Sequence, residues 1–244
     1  MNYTSGRFSS AIISENKRGF VAVIPDIKRI SPKEGDLFKG RDPANTAKEL
    51  VGFGAPVLSV VTEYERFGGS LELLYSIVKN TKVPVLRKDF ITTEKQLSET
   101  AELGAAAVLL ICAITDEKNL YTLYEKSIKL GLEPFVEVCT RDEMAFAKKL
   151  DAKLIGINNR NILTLELDDG NPSRTAALAS NIDMPSGALL VSESGILTPD
   201  DAKLAVSAGA NAILVGTALW QAPNMGEMYK SLRVERVKRI ERGS

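Results

Sequence analysis

The sequence predicts an α/β fold, a single (β/α)8 TIM barrel with a short N-terminal helix. Three observations predict it. Eight short runs rich in Val, Ile and Leu recur along almost the whole chain. Amphipathic stretches with helix-capping residues lie between them. Most of the runs are near-continuous in their apolar character, as strands are when both faces of a parallel sheet are covered. An open doubly wound sheet is the rival arrangement. It usually holds fewer strands, and nothing resembling G-x-G-x-x-G follows the first run.

Taken in order, "RFSSAIISENKRG" reads as an amphipathic helix from Phe8 to Lys17 that precedes the repeat. It is placed to plug the N-terminal face of the cylinder, a packing role. The strands are then "VAVIPDI" (21–27), "VLSVV" (57–61), "VPVLR" (83–87), "AVLLIC" (107–112), "PFVEV" (134–138), "LIGIN" (154–158), "LLVSE" (189–193) and "AILVG" (212–216). Each has strand length and β-branched composition. Between them, "DPANTAKELVGFGA" opens with an Asp cap and a Pro in the first turn and closes on Gly. "TTEKQLSETAELGA", "TRDEMAFAKKLDA" and "TPDDAKLAVSAGA" each open with a Thr cap and early acids. "TDEKNLYTLYEKSIKLG" is a longer amphipathic helix closed by Gly131. No linker interrupts the repeat, so residues 1–244 read as one domain.

Composition narrows the function. Thirty-one basic and thirty-one acidic residues balance, without basic clusters, so nucleic acid is not an expected partner. The start, "MNYTSGRFSS", lacks the apolar core of a signal peptide, and no apolar stretch approaches the ~20 residues of a membrane helix. A cytoplasmic location, no membrane association and a monomer or weak homodimer are the expectations. Two cysteines, Cys112 and Cys139, do not make a disulfide framework. The chain has no histidine. That excludes Ser-His and Cys-His nucleophilic machinery and any His-ligated metal. Acid–base work must fall to Lys, Asp, Glu, Tyr or Cys.

The first apolar run ends abruptly in charge, at Asp26, Lys28 and Arg29. In a barrel of this kind the C-terminal strand ends form the active-site face. The other ends repeat the pattern: Glu63, Lys88, Glu137, Asn158 followed by Arg160, and Glu193. Asp26 and Lys28 are two residues apart and share one strand face. Ordinary solvated ends or rim ion pairs are the bland reading for any one of these residues; for the set, a polar cleft is the better one. "SESGI" and "VGTAL" follow the last two strands. There Gly195 and Gly216 let backbone approach a ligand, and Ser194 and Thr217 add hydroxyls. A phosphate site after the seventh and eighth strands is expected.

Together "DIKRISPKEGD", "VLRKDFI", "FVEV", "IGINNRNI", "SESGI" and "ILVGTAL" resemble the successive signatures of the indole-3-glycerol phosphate synthase family, over about Phe8 to Pro223. The resemblance implies a (β/α)8 barrel of tryptophan biosynthesis, a carboxy-lyase. It would convert 1-(2-carboxyphenylamino)-1-deoxyribulose 5-phosphate to indole-3-glycerol phosphate, CO2 and water, with no cofactor or metal. It also implies roles. Lys88 is the general acid at the carbonyl in ring closure. Lys28 engages the substrate's carboxylate or phosphate end and shares proton transfer in dehydration. Glu137 is the partner acid–base residue, and Asn158 and Glu193 orient hydroxyls and the anilino nitrogen. Arg160 holds the site, Ser31, Ser194, Gly195, Gly216 and Thr217 take the phosphate, and Phe90, Ile162 and Leu214 form the slot for the aromatic ring. Which lysine acts at which step stays open.

The chain departs from the family pattern in two places. Asp26 stands where the family usually has Glu, and the segment before "RFSSAII" is short. Cys139 shares parity with Glu137 and is placed to crowd or tune the site. Two other functions therefore stand beside the synthase: a lyase-impaired paralogue that binds a phosphorylated ligand, and an isomerase or Schiff-base aldolase acting on another sugar phosphate through Lys28 or Lys88.

Overall fold

The computed structural model describes residues 6–160, 170–179 and 184–236. Helix α1 (Arg7–Lys17) precedes strand β1 (Ala22–Ile27), and a small antiparallel hairpin follows, β2 (Ile30–Ser31) with β3 (Gly35–Asp36). The repeat then runs α2 (Pro43–Gly52), β4 (Leu58–Val61), α3 (Leu71–Asn80), β5 (Val85–Lys88), α4 (Glu94–Glu102), β6 (Ala107–Ile111), α5 (Glu117–Lys129), β7 (Glu133–Val138), α6 (Arg141–Lys149) and β8 (Leu154–Asn158). It closes with α7 (Ser173–Ala179), β9 (Leu189–Glu193), α8 (Pro199–Ser207), β10 (Ala212–Val215), α9 (Thr217–Gln221) and α10 (Met225–Leu232).

Eight strands pair in parallel in the order β1-β10-β9-β8-β7-β6-β5-β4, and β4 returns to β1 through Asp26↔Ser59 and Ile27↔Val60. The barrel is closed, so the open sheet is ruled out. All eight expected strands are present, and the hairpin is an addition. Its turn, within "SPKEGD", is permitted by Gly35 at φ +71°.

Side-chain parity explains the core. Ala22 and Ile24 of β1, Leu86 of β5, Ala107, Leu109 and Ile111 of β6, Phe135 of β7, Leu154 of β8, Val191 of β9 and Ala212 and Leu214 of β10 pack together inside the cylinder. The opposite parity, such as Val23, Val60, Val108, Val136 and Ile155, packs under the helices. At roughly 1.5–3 kcal/mol for each large side chain fully buried, the two layers supply most of the drive to fold.

Helix α1 plugs the N-terminal face. Phe8 and Ile12, both fully buried, join the interior cluster. The Glu133 carboxylate at the start of β7 accepts the backbone N–H of Phe8 (2.6 Å) and of Ser9 (3.0 Å), so the helix N-terminus is capped from across the barrel floor. Asn16 Nδ2 donates to Asn211 O (2.8 Å) just before β10. The expected caps are also present. Asp42 accepts from Asn45 N (2.6 Å), and Thr93–Gln96 and Thr198–Asp201 form capping boxes. Each cap contributes about 1 kcal/mol. Among the described residues no helix is long and apolar enough to cross a membrane.

Candidate active site

The strand parity that fills the cylinder with apolar residues ends, one layer higher, in polar ones. Asp26 continues Ala22 and Ile24, Lys88 continues Leu86, Glu137 continues Phe135, Asn158 continues Leu154, and Glu193 continues Val191. Glu137, Asn158 and Glu193 are fully buried, and Asp26 and Lys28 nearly so. Register makes them neighbours: Glu137 lies opposite Gly156, and Asn158 opposite Glu193. Burying charge at such a density is costly unless a ligand or a partner repays it.

Two recesses open over this layer. The first is lined by Asp26, Lys28, Lys88, Arg160, Ser194, Gly195, Leu214, Gly216 and Thr217, among others. The second is lined by Val61, Glu63, Phe67, Asp89, Phe90, Leu109 and Ile111, and by the same Lys28 and Lys88. One recess is cationic and edged by small-residue turns; the other is walled by aromatic and aliphatic side chains. Both lysines stand where the two meet. The two linings suit a small metabolite with two chemically different ends.

Local structure holds each piece. Ser59 Oγ, from the facing position on β4, donates to Asp26 Oδ1 at 2.6 Å. Lys28 Nζ lies 5.6 Å from the centre of the Phe67 ring, a cation–π distance. Phe67 is held because Glu63 Oε2 accepts the N–H of Arg66 (2.9 Å) and of Phe67 (3.0 Å). The Phe67 and Phe90 rings are tilted at 59° with centroids 6.4 Å apart. Beneath Lys88, Arg87 points the other way, into the helix layer. It donates to Thr62 Oγ1, Gln96 O and Thr100 Oγ1, each at 3.0 Å, and to Asp89 Oδ2 at 2.9 Å. These bonds fix the turn that carries Lys88, Asp89 and Phe90.

On the opposite wall the first two asparagines of "NNRN" divide the work. Asn158 Oδ1 accepts the Arg160 N–H (3.0 Å). Asn159 is a fastener: Nδ2 donates to Ser192 Oγ and Ser194 O, both at 3.0 Å, and Oδ1 accepts from Thr175 Oγ1 at 2.9 Å. Ser194 adopts φ +64° and Gly195 φ +69°, so the chain turns sharply after Glu193. Gly195 there meets Gly170, which a Cβ on either glycine would crowd at 3.1 Å. Arg160 lies across Gly170, with its Cγ 2.9 Å from where a Cβ would be.

Cys139 does not act as a nucleophile in this setting. Burial, then the charges of Glu137, Glu143 and Glu193, push its thiol up to about 12, and Sγ lies 3.7 Å from Arg160 O as a weak donor. Burial also raises Cys112, with Glu143 and Glu137 adding to it.

The structure brings together Asp26, Lys28, Lys88, Arg160, Ser194, Gly195, Leu214, Gly216 and Thr217 on one recess, and Phe90 on the other. Leu214 faces the glycine-edged recess, whereas the sequence reading places it in the aromatic slot. Ser31 is buried in the hairpin and does not line either recess. Ile162 lies outside the described residues. Sequence reasoning missed Ser59, Phe67, Leu109, Ile111 and Asn159. It also missed Gly156, whose missing side chain leaves room for the Glu193 carboxylate: a Cβ there would lie 2.3 Å from Glu193 Oε1. A glycine inside a strand is itself a sign of close approach and was the available signal.

The family model described as indole-3-glycerol phosphate synthase matches residues 4–232. The chain belongs to that family. It is similar to a protein of Pyrococcus furiosus named indole-3-glycerol phosphate synthase, 45% identical over 85% of this chain and 90% of that one. Proteins of the same name from Thermococcus kodakarensis (43% identical over 86% and 91%) and Listeria monocytogenes serotype 4a (42% over 88% and 82%) are also similar. Near-complete coverage on both sides extends the likeness through β1 to β10, every strand of the barrel.

Proposed function

We propose that this protein, as one barrel domain over residues 1–244, closes the indole ring of 1-(2-carboxyphenylamino)-1-deoxyribulose 5-phosphate, releasing CO2 and water. The observation that carries the reading is the meeting of a cationic, glycine-edged recess with an aromatic one at Lys28 and Lys88. The phosphate belongs to the first, against Ser194, Gly195, Gly216, Thr217 and Arg160. The carboxyphenyl ring belongs to the second, between Phe67, Phe90, Leu109 and Ile111. The ketone carbon of the sugar chain then falls between the two lysines.

In ring closure the ring carbon bearing the carboxylate attacks the ketone carbon, and Lys88 gives a proton to the oxygen as it becomes a hydroxyl. The attacking ring has lost its aromaticity, and departure of CO2 restores it, the C–C bonding pair returning to the ring. Dehydration then removes that hydroxyl, with a proton from an acid, and a proton from the adjacent carbon bonded to nitrogen. Lys28 and the buried Glu137 are the acid–base pair for this step. Ser59 fixes the Asp26 carboxyl on the strand end that carries Lys28. Asn158 and Glu193 orient the hydroxyls and the anilino nitrogen. No electrons are gained or lost overall, so the reaction calls for no redox cofactor. Balanced charge without basic clusters speaks against a nucleic-acid partner, and a cytoplasmic monomer or weak homodimer completes the reading.

The test is direct. Purified protein is incubated with the carboxyphenylamino-deoxyribulose phosphate, and indole-glycerol phosphate fluorescence is followed. Product formed by the wild type and lost in Lys88→Ala supports the proposal. Binding of the substrate without turnover would mark a lyase-impaired paralogue, and borohydride trapping of an imine would mark an aldolase.

A further inference from the structure

The ladder between β1 and β10 runs from Ala22↔Ala212 to Pro25↔Val215 and then stops, because β10 turns away at Gly216 into α9. The next acceptor on β1, the backbone carbonyl of Asp26, is buried at the edge of the catalytic layer. The Trp220 indole N–H, from α9, donates to it at 2.8 Å. A side-chain donor thus takes the place of the ladder donor that the turn removes. Trp220 is the chain's one tryptophan and is almost fully buried.

The indole is itself clamped. Its ring packs on Phe38 with centroids 4.6 Å apart, and the Arg41 guanidinium stands 5.1 Å over it. Arg41 Nη2 donates to Trp220 O and, at 3.1 Å, to Leu37 O; its Nε donates to Phe38 O at 3.2 Å. The loop after the hairpin and helix α9 are therefore stitched to one ring. That ring touches the strand end bearing Asp26 and Lys28, while its helix begins with Gly216 and Thr217 of the proposed phosphate turn. Gly216 itself is adjacent to Asp26: a Cβ added to it would stand 3.5 Å from Asp26 Cβ and 3.6 Å from Oδ2.

We propose that Trp220 is a positioning residue that fixes the Asp26–Lys28 strand end against the phosphate turn, so that a substrate gripped at α9 presents its ketone to the lysines in register. This rests on the proposed synthase reaction. The role belongs to the N–H in particular, because the ring's bulk only fills the space under Phe38 and Arg41.

The presence of one tryptophan allows a clean test. Biosynthetic replacement by benzothienylalanine exchanges the indole N–H for sulfur and keeps the bicyclic shape; Trp220→Phe is made beside it. One lost hydrogen bond to a buried carbonyl predicts that kcat falls by about fivefold in the analogue. KM and the inhibition constant of inorganic phosphate stay within about twofold, since the phosphate turn's own backbone is untouched, and the acid–base limbs of the kcat profile move. Trp220→Phe gives the same kcat loss with a lower melting temperature. An unchanged kcat and pH profile in the folded analogue overturns the role. So does a parallel rise in KM and the phosphate constant, which would make the indole a support of the phosphate turn alone. A wild type that forms no product defeats the synthase reading and this role with it, an outcome distinct from three equally active proteins.

Discussion

Gly156→Ala tests how tightly the buried carboxylate layer is set. The added methyl would stand 2.3 Å from Glu193 Oε1 and 2.3 Å from Phe135 Cε1, where ordinary contact begins at 3.4 Å. Both neighbours are fully buried, so neither has open space to move into. The carboxylate or the ring must therefore retreat by about 1 Å, and a displacement of that size in a reacting constellation costs on the order of 100-fold in rate. Overpacking of a filled core adds a stability loss of about 1–3 kcal/mol, a fall of several degrees in melting temperature for a chain of this length. The assay is kcat from indole-glycerol phosphate fluorescence at 25 °C, where circular dichroism shows the variant folded, with the melting temperature measured in parallel. Adding Phe135→Leu relieves the ring side of the clash only. The double variant should regain stability while turnover stays low, because the methyl still meets Glu193. A folded Gly156→Ala protein with kcat within about threefold of wild type would refute the argument that this strand glycine sets the carboxylate's position.

Other substitutions probe the rest of the site. Lys88→Ala should abolish turnover while inorganic phosphate binds within a few-fold of wild type; equal loss of both would make Lys88 a phosphate clamp. Gly216→Val should raise KM far more than it lowers the melting temperature. The protein itself leaves ordinary contact distance at that point, 3.5 Å to Asp26 Cβ, so an unchanged KM would place the phosphate elsewhere. Asp26→Ala should lower turnover by about tenfold or more, equivalent to about 1.4 kcal/mol, and Ser59→Ala should reproduce part of that loss by freeing the carboxylate; rates equal to wild type in both would remove Asp26 from the mechanism. Cys139, raised to about 12 in the folded protein, keeps its thiol protonated where the unfolded chain's would ionise. Its stabilising contribution is present below the unfolded value near 9 and is lost as pH rises from there toward 12. Urea midpoints across that range should fall less steeply in Cys139→Ala than in wild type.

The barrel was legible because the signals that specify it are local and repeated. Thr93, Thr140 and Thr198 cap helices through their own neighbours three residues on, and strand composition recurs at each turn of the repeat. The polar residues at the strand ends were legible for the same reason, since parity along one strand decides which face each occupies. What escaped were contacts between segments far apart in sequence. Ser59 reaches Asp26 from the next strand, Asn159 fastens Ser192 and Thr175, and the Trp220 indole meets the Asp26 carbonyl across 194 positions. Phe67 escaped because it sits on a loop whose shape depends on the Glu63 carboxylate turning back on its own backbone.

These hidden contacts share a purpose that the visible motifs do not reveal. A (β/α)8 barrel gives each strand end one inward residue at a fixed height, but the ladder that holds strands in register stops just where that residue stands. Beyond the last ladder bond the backbone must be fixed by side chains or it is not fixed at all. Arg87 does this after β5 by holding Asp89, Asn159 does it between β8 and β9, and Trp220 does it where β1 outlasts β10. Each fastener lies off the inward face that carries Lys88, Asn158 and Asp26. The polar residues at the strand ends carry the functional groups of the candidate site, and the fastening donors around them set its geometry. A variant barrel that kept Lys28, Lys88 and Glu137 but lost those donors would retain the right functional groups at positions too loose to act together.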